Sequence, residues 1–146
     1  MNRIGTNDYF MEIANIVAKR ATCHRRQVGC VLVNSYGHIL ATGYNGVPSG
    51  IDHCIDNSHL CKSRNADSGC DLDDCMAIHA EQNAFLQCNN VMAINACYVT
   101  TSPCISCMKQ LMNTSCKNLY IGEEYDGNAI SFWLSKEGNK ITLINN

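Results

Sequence analysis

Two short segments, 79–81 and 103–107, do most to limit how this chain can fold. His79-Ala80-Glu81 opens a stretch that reads as a helix to Cys88. Pro103-Cys104-Ile105-Ser106-Cys107 opens another, with Ser102 as its cap, Pro103 as its first residue and an end near Asn113. Three residues apart on one helix face, Cys104 and Cys107 can offer two thiolates to one ion. The positive N-terminal end of that helix favours the ionised sulfurs. His79 adds an imidazole from the other helix. A His-Cys-Cys set leaves tetrahedral zinc a fourth position for water, which marks a catalytic site rather than a closed structural one. The fold must therefore bring two helix starts together, although a strand separates them along the chain.

The remaining periodicity supplies a scaffold able to do this. Phe10, Ile13, Ala14, Val17 and Ala18 recur at helical spacing, predicting an amphipathic helix from Asn7 to Ala21. The β-rich run Val28 to Val33 turns at Ser35-Tyr36-Gly37 into His38 to Gly43, a hairpin. From Tyr44 to Asp74 the periodicity disappears, and so long an insertion in a compact domain calls for a function or a tether. Strands follow at Ala96 to Thr100, Asn118 to Gly122 and Lys140 to Ile144, with a helix from Ala129 to Glu137 closed by Gly138. The order α-β-β-α-β-α-β-α-β implies a single domain over 1–146. Its fold class is α/β, a three-layer α/β/α arrangement around a five-stranded mixed sheet.

Composition narrows the setting. Eleven cysteines, an odd number without a secretion signal, favour reduced thiols acting as metal ligands over a disulfide framework. Cys30, Cys88, Cys97 and Cys116 lie in apolar runs and are expected in the core. A net charge of −2 disfavours broad nucleic-acid binding, and the absence of a long apolar run disfavours a membrane partner. A soluble, cytoplasmic protein is expected.

Glu81 completes the chemistry. It stands two residues past His79, close to the metal without having to bind it, where it can move a proton from water to a ring nitrogen and a departing amine. The H-x-E and P-C-x-x-C halves, in this order, form the signature of zinc nucleobase deaminases. Alone, a C-x-x-C pair is a weak sign and a histidine is usually a packed or surface residue. A structural zinc knot, however, would take four ligands and have no use for the glutamate.

With these motifs in place, the chain resembles the deoxycytidylate (dCMP) deaminase family of the cytidine deaminase superfamily. The likeness runs from Asp8-Tyr9-Phe10-Met11 to Tyr125. It includes Ala18 to Cys23, Arg25-Arg26-Gln27-Val28-Gly29, the Gly43 to Gly50 loop, His79 to Ala84 and Tyr98 to Cys104. The resemblance implies hydrolysis of dCMP to dUMP and ammonia, which supplies thymidylate synthesis. Asn45 is then expected on the deoxyribose, Val28 and the Ala80 backbone on the base, and Arg26, with Arg25 beside it, on the 5′-phosphate. Tyr125 or Tyr120 would cover the nucleotide.

The same resemblance implies a homohexamer activated by dCTP and inhibited by dTTP. Gly43, Tyr44, Asn45, Gly46, Pro48 and Gly50 would contribute to the effector site, with Mg2+ accompanying the nucleotide. It also implies a second, structural zinc, for which Cys23 and Cys54 match family positions. Cys61 inside the insertion and Cys75 four residues before His79 would complete four thiolates, with Cys70 competing for the place of Cys61 or Cys75. Alternatives are a bifunctional dCMP/dCTP deaminase and an enzyme editing RNA or single-stranded DNA. The second would need a basic or aromatic groove, whereas the Tyr44 to Asp74 insertion is acidic. A catalytically dead homologue would have no need of Glu81.

Overall fold

The computed structural model describes residues 1–23, 25–53 and 75–144. Its elements in chain order are α1 (Thr6–Ala18), β1 (Gly29–Asn34), β2 (Ile39–Tyr44), α2 (Ala80–Gln87), a short 3-10 turn at Val91–Ala93, β3 (Ile94–Val99), α3 (Ile105–Met112), β4 (Asn118–Ile121), α4 (Gly127–Leu134) and β5 (Lys140–Leu143). The five strands form one sheet in the order β2-β1-β3-β4-β5. The hairpin β1–β2 is antiparallel, with Gly37 at φ 80° in its turn, a left-handed conformation that a side chain would strain. β3 joins β1 antiparallel, and β4 and β5 then add in parallel, so the sheet is mixed as expected.

Alternation along the strands sends side chains to two covered faces. On one, Val31, Val33, Ala96 and Tyr98 pack against Phe10, Met11 and Ala14 of α1. On the other, Cys30, Leu32, Cys97, Val99, Leu119 and Ile121 meet Ala80 and Ala84 of α2, Met108 and Leu111 of α3, and Ala129 and Trp133 of α4. Trp133 is fully buried and its indole N–H donates to the Lys140 carbonyl at 2.9 Å, which ties α4 to β5. Of the four cysteines expected in the core, Cys30, Cys97 and Cys116 are sealed here as small apolar side chains, the first two sulfurs 3.6 Å apart. Cys88, the C-cap of α2, is only half-buried at the edge of this second core.

Both hairpin strands carry a glycine where a helix comes close. A Cβ on Gly29 would strike the Ala14 carbonyl and the Ala18 amide of α1. One on Gly43 would strike the Ala80 carbonyl and the Ala84 amide of α2. The sheet thus presses α2, with His79 and Glu81 at its start, directly onto β2. No helix among the described residues is long and apolar enough to cross a membrane.

Several boundaries differ from the sequence expectation for identifiable reasons. α1 stops at Ala18 because Lys19, Arg20 and Ala21 bond back three residues, and Thr22 N–H turns away to the Asn45 carbonyl. α3 starts at Ile105 with Cys104 as its N-cap, leaving buried Pro103 outside the helix. Ser102 does not cap it, because its hydroxyl accepts the Tyr125 N–H instead. α4 begins earlier than expected, at Gly127, since the Asp126 carboxylate accepts the Asn128 and Ala129 N–H groups.

Candidate metal centre and active site

The two helix starts converge. His79 is the N-cap of α2 and Cys104 the N-cap of α3, both in extended conformation, while Cys107 lies in the first turn of α3. His79 Nδ1 is 3.3 Å from Cys107 Sγ and 3.4 Å from Cys104 Sγ, and the three ligand atoms all lie within 4.8 Å of one another. Tetrahedral zinc, with bonds of about 2.0–2.3 Å, sets its nitrogen and sulfur ligands about 3.5 Å apart. The donor set and its spacing fit that ion. Gln82 Oε1 accepts the His79 backbone N–H at 3.0 Å, which fixes the imidazole-bearing residue at the mouth of α2. Cys107 is buried, whereas His79 and Cys104 keep an accessible side.

The electrostatics suit a cation. The Cys104 thiol is drawn down to about 4, first by its hydrogen bond with Cys107 and then by His79 and the Cys107 N–H, against the effect of burial. Cys107 is pushed upward by that same bond and by burial. His79 is raised, chiefly by its bond with Cys104. The cluster therefore stabilises one thiolate readily, and a bound cation would stabilise the second. Glu81 is 4% exposed, and burial pushes its carboxyl up to about 7 against the pull of backbone hydrogen bonding and the His79 ring. Its carboxyl also meets the Cys107 thiol, so it lies beside the metal ligands without belonging to the three-atom group.

Around this centre the substrate residues expected from sequence fall into two groups. Asn45 Nδ2 donates to the Arg26 carbonyl at 2.8 Å and its Oδ1 accepts the Val28 N–H at 2.8 Å, so Asn45, Arg26 and Val28 form one connected edge. The Arg26 guanidinium carbon stands 4.3 Å from the centroid of the Tyr125 ring, which brings Tyr125 to that edge. Ala80, in the first turn of α2 next to Glu81, is buried. Tyr120 goes elsewhere: it stacks on Tyr98, centroids 4.4 Å apart, on the α1 face of the sheet. Of the two tyrosines, Tyr125 is therefore the one placed beside Arg26.

The Gly43 to Gly50 segment divides. Gly43 and Tyr44 end β2, Asn83 of α2 donates to the Tyr44 carbonyl at 2.8 Å, and Gly46 exchanges backbone hydrogen bonds with Ile78. Pro48 and Gly50 are exposed, the latter at φ 89°. For the second metal, Cys23 is buried and Cys75 half-buried, while Cys54, Cys61 and the competing Cys70 lie outside the described residues.

Three supporting roles escaped the sequence reading, in which Ser102 figured only as a helix cap. Gln82, three residues past the N-cap, carries a local signal in its capping-box spacing. Asn83 and Ser102 carry none, because their partners Tyr44 and Tyr125 are 39 and 23 residues away in the chain.

The chain is similar to known proteins. Residues 5–123 match the model of the cytidine and deoxycytidylate deaminase zinc-binding region. The chain is 38% identical over 124 residues to a deoxycytidylate deaminase of Schizosaccharomyces pombe, covering 82% of this chain and 38% of that protein. It is 36% identical over 115 residues to the deoxycytidylate deaminase of Mycobacterium phage D29, covering 73% of this chain and 86% of that one. The dCMP deaminase of cyanophage S-TIM5, solved in complex with dCMP and dUMP, superimposes with a TM-score of 0.74 at 26% identity over 99% of this chain and 100% of that one. The chain spans less than two thirds of the length of several curated relatives it matches. Because the matched region encloses the converging His79, Glu81, Cys104 and Cys107, the chain belongs to the cytidine and deoxycytidylate deaminase zinc-binding family.

Proposed function

We propose that this chain is a zinc-dependent hydrolase that converts dCMP to dUMP and ammonia, supplying thymidylate synthesis. The observation that carries this reading is the meeting of His79 Nδ1 with the two sulfurs beside the buried Glu81 carboxyl. The phage relatives support the choice of a mononucleotide, since one of them was solved with dCMP and dUMP. His79, Cys104 and Cys107 would hold zinc, which supplies a Lewis acid and brings the ionisation of water toward neutral pH. Glu81 accepts the proton of the attacking water and delivers it to the ring nitrogen. It then takes the proton of the new C4 hydroxyl and passes it to the departing amine, which leaves as ammonia while the C4 carbonyl forms. Val28 and the Ala80 backbone hold the base and Asn45 the deoxyribose. Arg26 grips the 5′-phosphate through its planar fork, and Tyr125 covers the nucleotide.

The chain acts as one domain in this reading, in the cytoplasm, as a homohexamer with dCTP activating and dTTP inhibiting. Gly46, Pro48 and Gly50, with the neighbouring Gly43, Tyr44 and Asn45, contribute to the effector site, and Mg2+ accompanies the triphosphate. A second zinc on Cys23, Cys54, Cys61 and Cys75 tethers the insertion. In support, Thr22 N–H bonds the Asn45 carbonyl and Ile78 pairs with Gly46, so the segments carrying Cys23 and Cys75 both run beside the end of β2.

A steady-state assay of dCMP, dCTP and deoxycytidine, each across dCTP or dTTP concentrations, tests the whole reading. Selective turnover of dCMP is expected, rising with dCTP and falling with dTTP. Equal turnover of dCTP would replace it with a bifunctional enzyme, and no turnover of any cytosine nucleotide would overturn it. Metal analysis should find two zinc ions per chain, and one zinc in fully active protein would remove the structural site.

A further inference from the structure

The segment leading into the metal-binding helix does more than carry Cys104. Ser102 is 3% exposed, and both its backbone and side chain reach the loop between β4 and α4. Its N–H donates to the Glu123 carbonyl at 2.9 Å, and its hydroxyl oxygen accepts the Tyr125 N–H at 2.8 Å. Next to it, the Thr101 hydroxyl donates to Glu123 Oε1 at 3.1 Å. Asp126 closes the loop by capping α4. The backbone of Tyr125 is thus anchored from the metal-bearing segment, while the residue remains 40% exposed and the Arg26 guanidinium stands 4.3 Å from its ring centroid. Arg26 is held from the other side, where Asn45 Nδ2 bonds its carbonyl.

A guanidinium lying against an aromatic face keeps its N–H groups in its own plane, an orientation in which they can be turned toward a dianionic phosphate. Holding that plane before the ligand arrives reduces the ordering cost of binding. We propose that Ser102 is a positioning residue that, through the Tyr125 backbone, holds the ring against Arg26 and so sets the preference for a 5′-phosphorylated substrate over the corresponding nucleoside. The proposal rests on the reading of Arg26 as the phosphate ligand.

The readout is the ratio of kcat/KM for dCMP to that for deoxycytidine, measured in the zinc-loaded protein. Ser102→Ala should lower this ratio about five- to tenfold, through KM for dCMP, with zinc content unchanged. Tyr125→Leu, at an exposed position, should lower it similarly, and Tyr125→Phe should preserve it. Because Ser102 acts through Tyr125, the double variant Ser102→Ala/Tyr125→Leu should be no worse than Tyr125→Leu alone.

An unchanged ratio in Ser102→Ala or Tyr125→Leu would overturn the proposal. So would an equal loss for both substrates, loss of zinc from Ser102→Ala, or additive effects in the double variant. Arg26→Gln separates the two readings. If it leaves the ratio intact, the phosphate assignment itself is wrong. If it collapses the ratio while Ser102→Ala does not, only the role of Ser102 is lost.

Discussion

A carboxyl that is 4% exposed costs stability unless its surroundings repay the lost water, and Glu81 has mainly backbone hydrogen bonding, a thiol and an imidazole around it. Glu81→Gln keeps the shape and removes the shuttled proton. It should reduce dUMP formation by about a hundred- to ten-thousandfold, leave zinc content unchanged and leave thermal stability equal or higher. Activity within tenfold of the parent enzyme would refute the assigned role. Asn45→Ala removes two 2.8 Å bonds and leaves the Val28 N–H and the Arg26 carbonyl seeking partners. A loss of about 1–3 kcal/mol in denaturant unfolding should accompany a raised KM for dCMP, and a changed KM with unchanged stability would limit Asn45 to the substrate. At this scale the sequence was legible wherever chemistry constrains spacing, as at His79, Glu81, Cys104 and Cys107. It miscast Ser102 as a helix cap and was silent on the contact of Asn83, because the work of both depends on partners met only after folding.

Elements were read in the right order because their apolar periods differ, two along strands and near 3.6 along helices. Their ends were misread where a group is engaged by a distant partner: the Ser102 hydroxyl accepts from Tyr125 N–H rather than capping α3, and just past α1 the Thr22 backbone N–H turns to the Asn45 carbonyl. The two strand glycines give this scale its test, because they press different helices onto opposite faces. Gly43→Ala sets a methyl against the Ala80 carbonyl and the Ala84 amide, so α2 must lift from β2 and carry His79 and Glu81 with it. Gly29→Ala does the same to α1, which carries no metal ligand. Each should cost at least about 1–3 kcal/mol as overpacking. Zinc affinity should fall markedly in Gly43→Ala and much less in Gly29→Ala. Equal loss of zinc in the two variants would show that the α2–β2 contact does not govern the metal site.

At the scale of the whole molecule, the metal ligands link two helices separated by a strand in sequence. α2 and α3 share one core face with α4, yet their N-termini meet chiefly through His79, Cys104 and Cys107. α1 lies across the sheet on a separate core of Phe10, Met11 and Ala14. An ion there would therefore be a cross-link between elements as well as the catalyst of the proposed reaction, and its binding energy would add to the stability of one face more than the other. At a free zinc concentration about a thousand times its dissociation constant, the gain is about 4 kcal/mol. Chelation of the catalytic ion should lower the melting temperature and abolish deamination together. Amide exchange should then quicken at the starts of α2 and α3 while the amides of α1 and β1 keep their protection, because the apolar core beneath them does not use the ion. Uniform loss of protection through all the helices would mean that the metal supports the fold globally. No change at α2 and α3 would mean that their starts are held together by packing alone, leaving the ion its chemistry but not this structural part.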